Sequence, residues 1–326
     1  MVRPQKDPVR HHYVPRFLLS NFATEGNSLW VYDTKAKKNW LGCPEAAGYE
    51  KHWHTVFRKD GTKDTSSIEA IVTARYDTPG SNAVRMLINR EKLDVASLLS
   101  FFRFVAALML RTPRSVRQNT EMGTAIWSES GSRLAAHNHD FQQRVAERLR
   151  EAGATNETIK ILLADIAEGR TRFSPRHELT LIKNLMDVEP LTQGLANLKW
   201  KFCALPDSED DFIIGDHPVL LEDVGSEVAR GPLGIMNPNI ELILPLSRRM
   251  AAVANHTCQP SYGVFQPGTS SMINRRTLCW AERFVYAGQQ SDELLKAAVH
   301  FRGQGPKLII ERVKYGRASG IMFTEK

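Results

Sequence analysis

Cysteine is scarce: Cys43, Cys203, Cys258 and Cys279 are spread over 326 positions, and no two form a Cys-x-x-Cys pair. That spacing argues against a zinc knuckle or a disulfide framework and leaves reduced, mostly structural thiols as the expected state. Long apolar runs are missing too. The longest, Leu98 to Leu110, is broken by Arg103 and falls short of the roughly 20 residues that a bilayer span requires, so it reads as a core helix. The opening segment MVRPQKDPVRHHYVP is basic but has neither an apolar stretch nor a small-residue cleavage site, and a cytoplasmic protein with no membrane association is expected. No Gly-x-Ser-x-Gly elbow, Gly-x-x-x-x-Gly-Lys-Ser/Thr loop or His-Glu-x-x-His motif occurs. Gly303-Gln304-Gly305-Pro306-Lys307 has the wrong spacing for a phosphate loop and reads as a turn.

Acidic residues are absent between Phe101 and Asn119, where Arg103, Arg111, Arg114 and Arg117 cluster. A second basic stretch runs from Lys307 to Arg317 against the single acid Glu311, and the acidic loop Asp207 to Asp211 offsets both. With a net charge of +7, the chain favours anionic partners, either nucleic acid or a phosphorylated small molecule.

What is present is a globular composition, 42% hydrophobic and 24% charged, on a chain long enough for a large core. Ser28 to Asp33 alternates as a strand, and Trp40-Leu41 supplies its hairpin partner. Ser66-Ser67-Ile68-Glu69 reads as a capping box that opens a helical region lasting to about residue 195. Tyr76-Asp77-Thr78-Pro79-Gly80 interrupts it, Asp94 caps the apolar helix through Leu110, and Pro113 ends that helix. A long polar helix over Thr120 to Arg150 and a shorter one over Thr155 to Glu168 follow, and Pro175 starts another. From Trp200 strands dominate, at 199–204, 212–214, 241–246, 250–254 and 284–287, with helices at about 271–281 and 291–301. The expected fold is α+β: a helical middle region packed on a mostly antiparallel sheet from the C-terminal third, with an N-terminal strand hairpin. No low-complexity linker divides the chain, so one integrated domain over 1–326 is expected, with 66–195 as a helical subdomain within it.

Several polar groups stand beside rigid apolar elements. In His11-His12-Tyr13-Val14-Pro15, proline holds the preceding residue extended, and neighbouring side chains in an extended segment face opposite ways. One imidazole therefore points inward, and His12 is the one expected to do so. His52-Trp53-His54, read as a strand, places two imidazoles on one face, although no third metal ligand lies near in sequence. His137 and His139, two apart on a helix, diverge and suit a solvated face. Asp216 lies where an apolar strand stops, placed either to orient an imidazole, bind a metal or act as a base, or to form an Asx-turn before Pro218. Arg111 ends the apolar helix and needs an anionic mate, either a phosphate or the carboxylate of Glu69 or Asp216.

His12-Tyr13-Val14-Pro15-Arg16-Phe17-Leu18-Leu19-x-x-Phe22, Leu29 to Asp33, Ile68-Glu69, Arg111-Thr112-Pro113, Gly215-Asp216-His217-Pro218, Leu244 to Ser247, Asn274 and Arg283 to Tyr286 together resemble the domain of unknown function 4238 family. The family pattern has Ser/Thr-Asp-Asn-Pro where this chain has Gly215-Asp216-His217-Pro218. The resemblance covers most of the chain and implies a mainly bacterial, soluble protein, but no reaction.

The residues themselves suggest a phosphodiester- or phosphoryl-acting enzyme, such as a nuclease-like defence effector or toxin. His12 would act as general acid or base, Asp216 and Glu69 as orienters or ligands of a divalent metal, Asn274 as a polar positioner, and Arg111 and Arg16 as phosphate clamps. Two other readings use the same residues: a non-catalytic module that senses a nucleotide or other anion, and a structural, partner-binding protein. The three are separated by whether His12, Glu69, Arg111 and Asp216 meet within hydrogen-bonding reach in a solvent-open pocket: scattered positions favour the structural protein, and a sealed cluster favours the anion-sensing polar network.

Overall fold

The computed structural model describes residues 9–58, 60–225, 234–315 and 318–325. They fall into two compact units, one of residues 9–116, 181–225 and 234–307 and the other of 117–180 and 308–325. The helical stretch 66–195 is thus divided between the two.

The first unit opens with β1 (Arg10–His12), α1 (Arg16–Ser20), the hairpin β2 (Leu29–Asp33) and β3 (Lys38–Gly42), β4 (Tyr49–Lys51), and the short pair β5 (Val56–Phe57) and β6 (Lys63–Asp64). Helices α2 (Ser67–Val72), α3 (Thr78–Ile88) and α4 (Val95–Arg111) follow. Helices α5 (Pro113–His137), α6 (His139–Glu151), α7 (Asn156–Ala167) and α8 (His177–Met186) take the chain into the second unit and out of it, and α9 (Val188–Ala196) belongs to the first. Then come β7 (Lys199–Ala204), β8 (Ile214–Gly215), β9 (Leu220–Asp223), β10 (Ile240–Ser247), β11 (Met250–Asn255), β12 (Ser261–Val264), α10 (Thr269–Trp280), β13 (Phe284–Ala287) and α11 (Asp292–Phe301). The hairpin β14 (Leu308–Tyr315) and β15 (Ala318–Glu325) is part of the second unit.

The fold is α+β. A five-stranded sheet has the order β12-β7-β11-β10-β9, antiparallel except for the β12–β7 pair. A four-stranded antiparallel sheet has the order β3-β2-β13-β8, so the N-terminal hairpin is completed by a strand some 250 residues away in sequence.

Helix α4 forms the centre of the core. Asp94 caps it by accepting from the Ser97 N–H at 2.7 Å, and the chain turns at Thr112 before Pro113. Phe101, Phe104, Val105 and Leu108 are buried along it, together with Leu18, Leu19 and Phe22 from the opening motif and Leu244 and Leu246 of β10. These side chains explain why the opening motif is held: it forms part of the core.

Three local expectations are corrected. The Tyr76 to Gly80 segment does not break the helix, because a π-turn over Thr73–Asp77 absorbs the misfit and α3 continues with Pro79 in its first turn. The long polar helix is two helices, since the Asn138 side chain accepts from the Phe141 N–H at 2.8 Å and starts α6. His137 and His139 therefore lie on different helices, both exposed. The Lys307 to Arg317 stretch forms β14 over Leu308–Tyr315; the Arg312 and Lys314 side chains and the whole of Arg317 lie outside the described residues. No single helix among the described residues is long and apolar enough to cross a membrane.

Candidate functional site

Strand β1 pairs with β4, setting His11 opposite Glu50 and His12 opposite Tyr49. The sealed imidazole is His11, not His12 as expected. His11 Nδ1 accepts from the His54 N–H at 2.9 Å, Nε2 lies 3.0 Å from the Thr65 carbonyl, and the ring stacks on His54. Both ring nitrogens are committed to the backbone, so His11 ties β1 to the 52–65 segment. The choice was decided by which side of β1 that segment covers, a long-range fact that alternation cannot supply. His12 is half-buried against the Tyr49 ring, 5.6 Å between centroids, and its buried Nε2 has no partner. Burial, with help from the Arg16 charge, pushes its pKa down to about 4, so the ring is neutral at pH 7.

Residues 52–54 form a turn and not a strand. His52 has a left-handed φ of 61°, and the Thr55 N–H donates to the His52 carbonyl at 3.1 Å. The two histidines consequently part: His52 Nδ1 meets the Thr55 hydroxyl, whereas His54 is fully buried with Nδ1 against Glu69 Oε2.

Glu69 is free for that contact because it does not complete a capping box. Asp64 caps α2 instead, accepting from the Ser66 and Ser67 N–H groups and from the Ser67 hydroxyl. Burial works to raise the Glu69 carboxyl, but the His54 hydrogen bond and the positive groups around it outweigh burial and leave it lowered. Burial likewise keeps His54 below its usual value against the pull of Glu69. A neutral imidazole facing a carboxylate carries its proton on Nδ1. The lone pair then sits on Nε2, which is buried and has no partner.

Arg111 ends α4 and is fully buried. Its Nε donates to the Tyr13 carbonyl at 3.1 Å, and the Trp53 indole donates to the Arg111 carbonyl at 3.0 Å. Its mate is neither Glu69 nor Asp216 but Asp77, with Nη2 2.8 Å from Oδ1 and off the axis of a hydrogen bond, so that neither Nη carries one. Burial raises the Asp77 carboxyl even beside the guanidinium. Chain neighbours tie these groups together: Trp53, next to His54, donates to the Arg111 carbonyl, and Arg111 donates to the carbonyl of Tyr13, next to His12, so that His12, His54, Glu69, Asp77 and Arg111 form one cluster whose charges act on one another.

Three of the six expected site residues, His12, Glu69 and Arg111, belong to this cluster. Arg16 is exposed on the first turn of α1 and reaches His12 only through its charge. Asp216 is elsewhere: its carboxylate accepts three backbone N–H groups, from Glu282, Arg283 and Phe284, each at 2.8 Å, and burial pushes its carboxyl up to about 6. It closes the turn before β13. Asn274 is elsewhere too, bridging the Ile213 N–H and the Asp211 carbonyl and so fixing the approach to β8. His217 lies on Trp280 with Nδ1 2.6 Å from the Thr112 hydroxyl, and burial drives its pKa well down. His54 and Asp77 complete the cluster and were missed as a pair. The signals were the His-x-His run, read with the wrong backbone, and the apparent helix breaker that contains Asp77.

The basic run is partnered within the protein: Arg111 and Arg114 are buried, the first against Asp77 and the second donating to the Trp280 carbonyl and lying over that indole, while Arg103 with Glu189 and Arg117 with Glu121 form exposed surface pairs. Among the described residues no group of three or more His, Cys, Asp or Glu side chains is arranged to hold a metal, and the Glu69 and Asp216 carboxylates are bound to different partners, His54 and the backbone of 282–284. What the cluster offers is two neutral imidazoles with free Nε2 atoms, one of them backed by a carboxylate, beside a guanidinium. No curated protein and no solved structure matches the chain. The family described as protein of unknown function (DUF4238) matches residues 10–291, and with that span over most of its length the chain belongs to this family.

Proposed function

We propose that this protein is a phosphodiester-acting hydrolase, nuclease-like in the bond it cleaves and suited to a defence effector or toxin. The observation that carries the reading is the pair of unpartnered Nε2 atoms on His12 and His54, in one cluster with Glu69 and Arg111. His54 Nε2 takes the proton of a water attacking phosphorus, and the Glu69 carboxylate on Nδ1 steadies the imidazolium that forms. An anion bound beside His12 raises its pKa, so that the ring acquires a proton and can pass it to the leaving oxygen as the P–O bond breaks. Arg16, exposed on α1, attracts the non-bridging oxygens, and Arg111 adds only its charge from within the core. Glu69 keeps about a quarter of its side chain exposed (27%) and His12 is half-buried, which marks the side open to substrate.

The test is hydrolysis of RNA, single-stranded DNA and bis(p-nitrophenyl) phosphate, with and without added Mg²⁺ or Mn²⁺. His12→Asn, His54→Asn and Glu69→Gln are each expected to lower the rate about 100-fold or more, the usual weight of a general acid or base, with thermal melts retained. No turnover of any diester, or turnover indifferent to all three changes, overturns the reading. Full burial of Arg111 and His54, and of both Nε2 atoms, favours a second reading, a nucleotide or anion sensor, whose mark is thermal stabilisation by a nucleotide without turnover.

A further inference from the structure

The four-stranded sheet has two unlike faces. Tyr32, Val285 and Ala287 pack with Leu278 and Ala298, which covers one of them. On the other, register aligns Trp40 with Val31 and Val31 with Tyr286, and Phe284 stands two residues from Tyr286 on the same side. This face is the floor of a half-open cavity of about 570 Å³, walled opposite by Tyr13, Gly48 and Tyr49. Its volume lies in the range of small-ligand sites. Trp40 meets Phe284 edge-on at 6.5 Å, and Phe284 lies nearly parallel to Tyr286 at 6.4 Å. Trp40 remains 38% exposed, and so large an aromatic in a concave wall contributes little to the core. Lys35 and Lys51 stand exposed at the rim, and neither has an ion pair among the described residues. Glu50, Glu282 and Asp216 also line the cavity, the last with its oxygens on backbone N–H groups, and Arg283 lines it paired with Asp33.

We propose that this cavity binds a nucleotide unit, with its base stacked on Trp40 and its phosphate drawn by Lys35 and Lys51; Phe284, which carries the Arg283 guanidinium over its ring, meets Trp40 edge-on and holds it in place. Any base has a π-face that stacks on an exposed indole, while the lysines select for the charged backbone and Glu50 suits an exocyclic amino group. An apolar ligand would leave the lysines idle, and inorganic phosphate would leave the aromatic wall idle. Tyr49 lines the cavity and is the cross-strand neighbour of His12, so an occupant lies beside the candidate hydrolytic cluster. The inference rests on the proposed hydrolysis for the bond acted upon, and on the cavity alone for the ligand.

The experiment measures binding in EDTA of fluorescein-labelled ten-residue oligoadenylate RNA by anisotropy, and of AMP and inorganic phosphate by calorimetry. Trp40→Leu is expected to weaken RNA or AMP binding about 10-fold, within the usual weight of one stacked base, and Trp40→Phe to restore most of it. Lys51→Ala is expected to weaken binding at low salt and flatten its salt dependence. RNA bound more tightly than AMP makes the source a polynucleotide, and equal affinity makes it a free nucleotide; both outcomes support the site. Phosphate bound as tightly as AMP, or a Trp40→Leu variant with unchanged affinity, overturns it. Wild-type hydrolysis of the base-free bis(p-nitrophenyl) phosphate alongside Trp40-independent binding removes the cavity proposal alone. Trp40-dependent binding without turnover of any diester removes the enzymatic proposal alone.

Discussion

Gly80→Ala sets two effects of opposite sign against each other. In an ordinary helix the change gains about 1 kcal/mol of propensity. Here a Cβ at position 80 would lie 2.5 Å from Phe104 Cβ, 2.6 Å from its Cγ and 2.9 Å from its Cδ2. Relaxed carbon contacts are about 3.5–4.0 Å, so α3 and α4 must separate by roughly 1 Å. The atoms in conflict are at the root of the Phe104 side chain, and a rotamer change cannot clear them. Overpacking of this kind costs about 1–3 kcal/mol or more. Because the shift is imposed on two whole helices of the core, about 3 kcal/mol is taken, for a net loss near 2 kcal/mol. The same contact bears on the site. Asp77 is one turn before Gly80, and Arg111 is two turns after Phe104 on the same face of α4, so the helix spacing set at Gly80 brings the two ends of the ion pair together. Urea unfolding followed by tryptophan fluorescence should show a lower midpoint at unchanged slope. Gly123→Ala in α5 is the control: its nearest neighbour, Pro175 Cγ at 3.2 Å, belongs to a loop, and no loss beyond a few tenths of a kcal/mol is expected. A Gly80→Ala protein as stable as wild type, or more so, would refute the packing argument.

Two further outcomes follow from the cluster. His12 has a folded pKa of about 4 against 6.5 unfolded, so between those values the unfolded chain binds the extra proton; the stability is fully present above pH 6.5 and is lost as pH falls to about 4. At 1.36 kcal/mol per unit, and discounted for partial exposure, that is about 2 kcal/mol. His12→Asn should lose correspondingly less stability than wild type over that window in urea titrations, and parallel curves would count against the assignment. Arg111→Met alone leaves Asp77 buried without its cation and should cost about 3–5 kcal/mol, whereas adding Asp77→Leu should recover a large part of it. Strictly additive losses in a double-mutant cycle would show that the two groups are not coupled.

Much of the fold was legible because it rests on local chemistry. The apolar period of α4, its Asp94 cap and its Pro113 stop are all near in sequence, and so are the alternation of β2 and β7 and the short apolar runs of β10, β11 and β13. The candidate site was legible only in part. His12, Glu69 and Arg111 stand out as polar groups beside rigid apolar elements, and the fold does gather them. Asp216 and Asn274 stand out for the same reason, yet their oxygens are taken up by backbone donors of the turn before β13 and the approach to β8.

By itself the sequence determined the α+β class, the capped core helix, the family and the presence of one inward imidazole in the opening motif. Tertiary structure alone decided that this imidazole is His11, that His54 takes Glu69 because Asp64 has taken over the cap, and that Arg111 is matched by Asp77 across a glycine-spaced helix pair. The reason is physical: periodicity and caps are set within a few residues, whereas a buried polar group is satisfied by whatever donor or acceptor the distant chain brings to it.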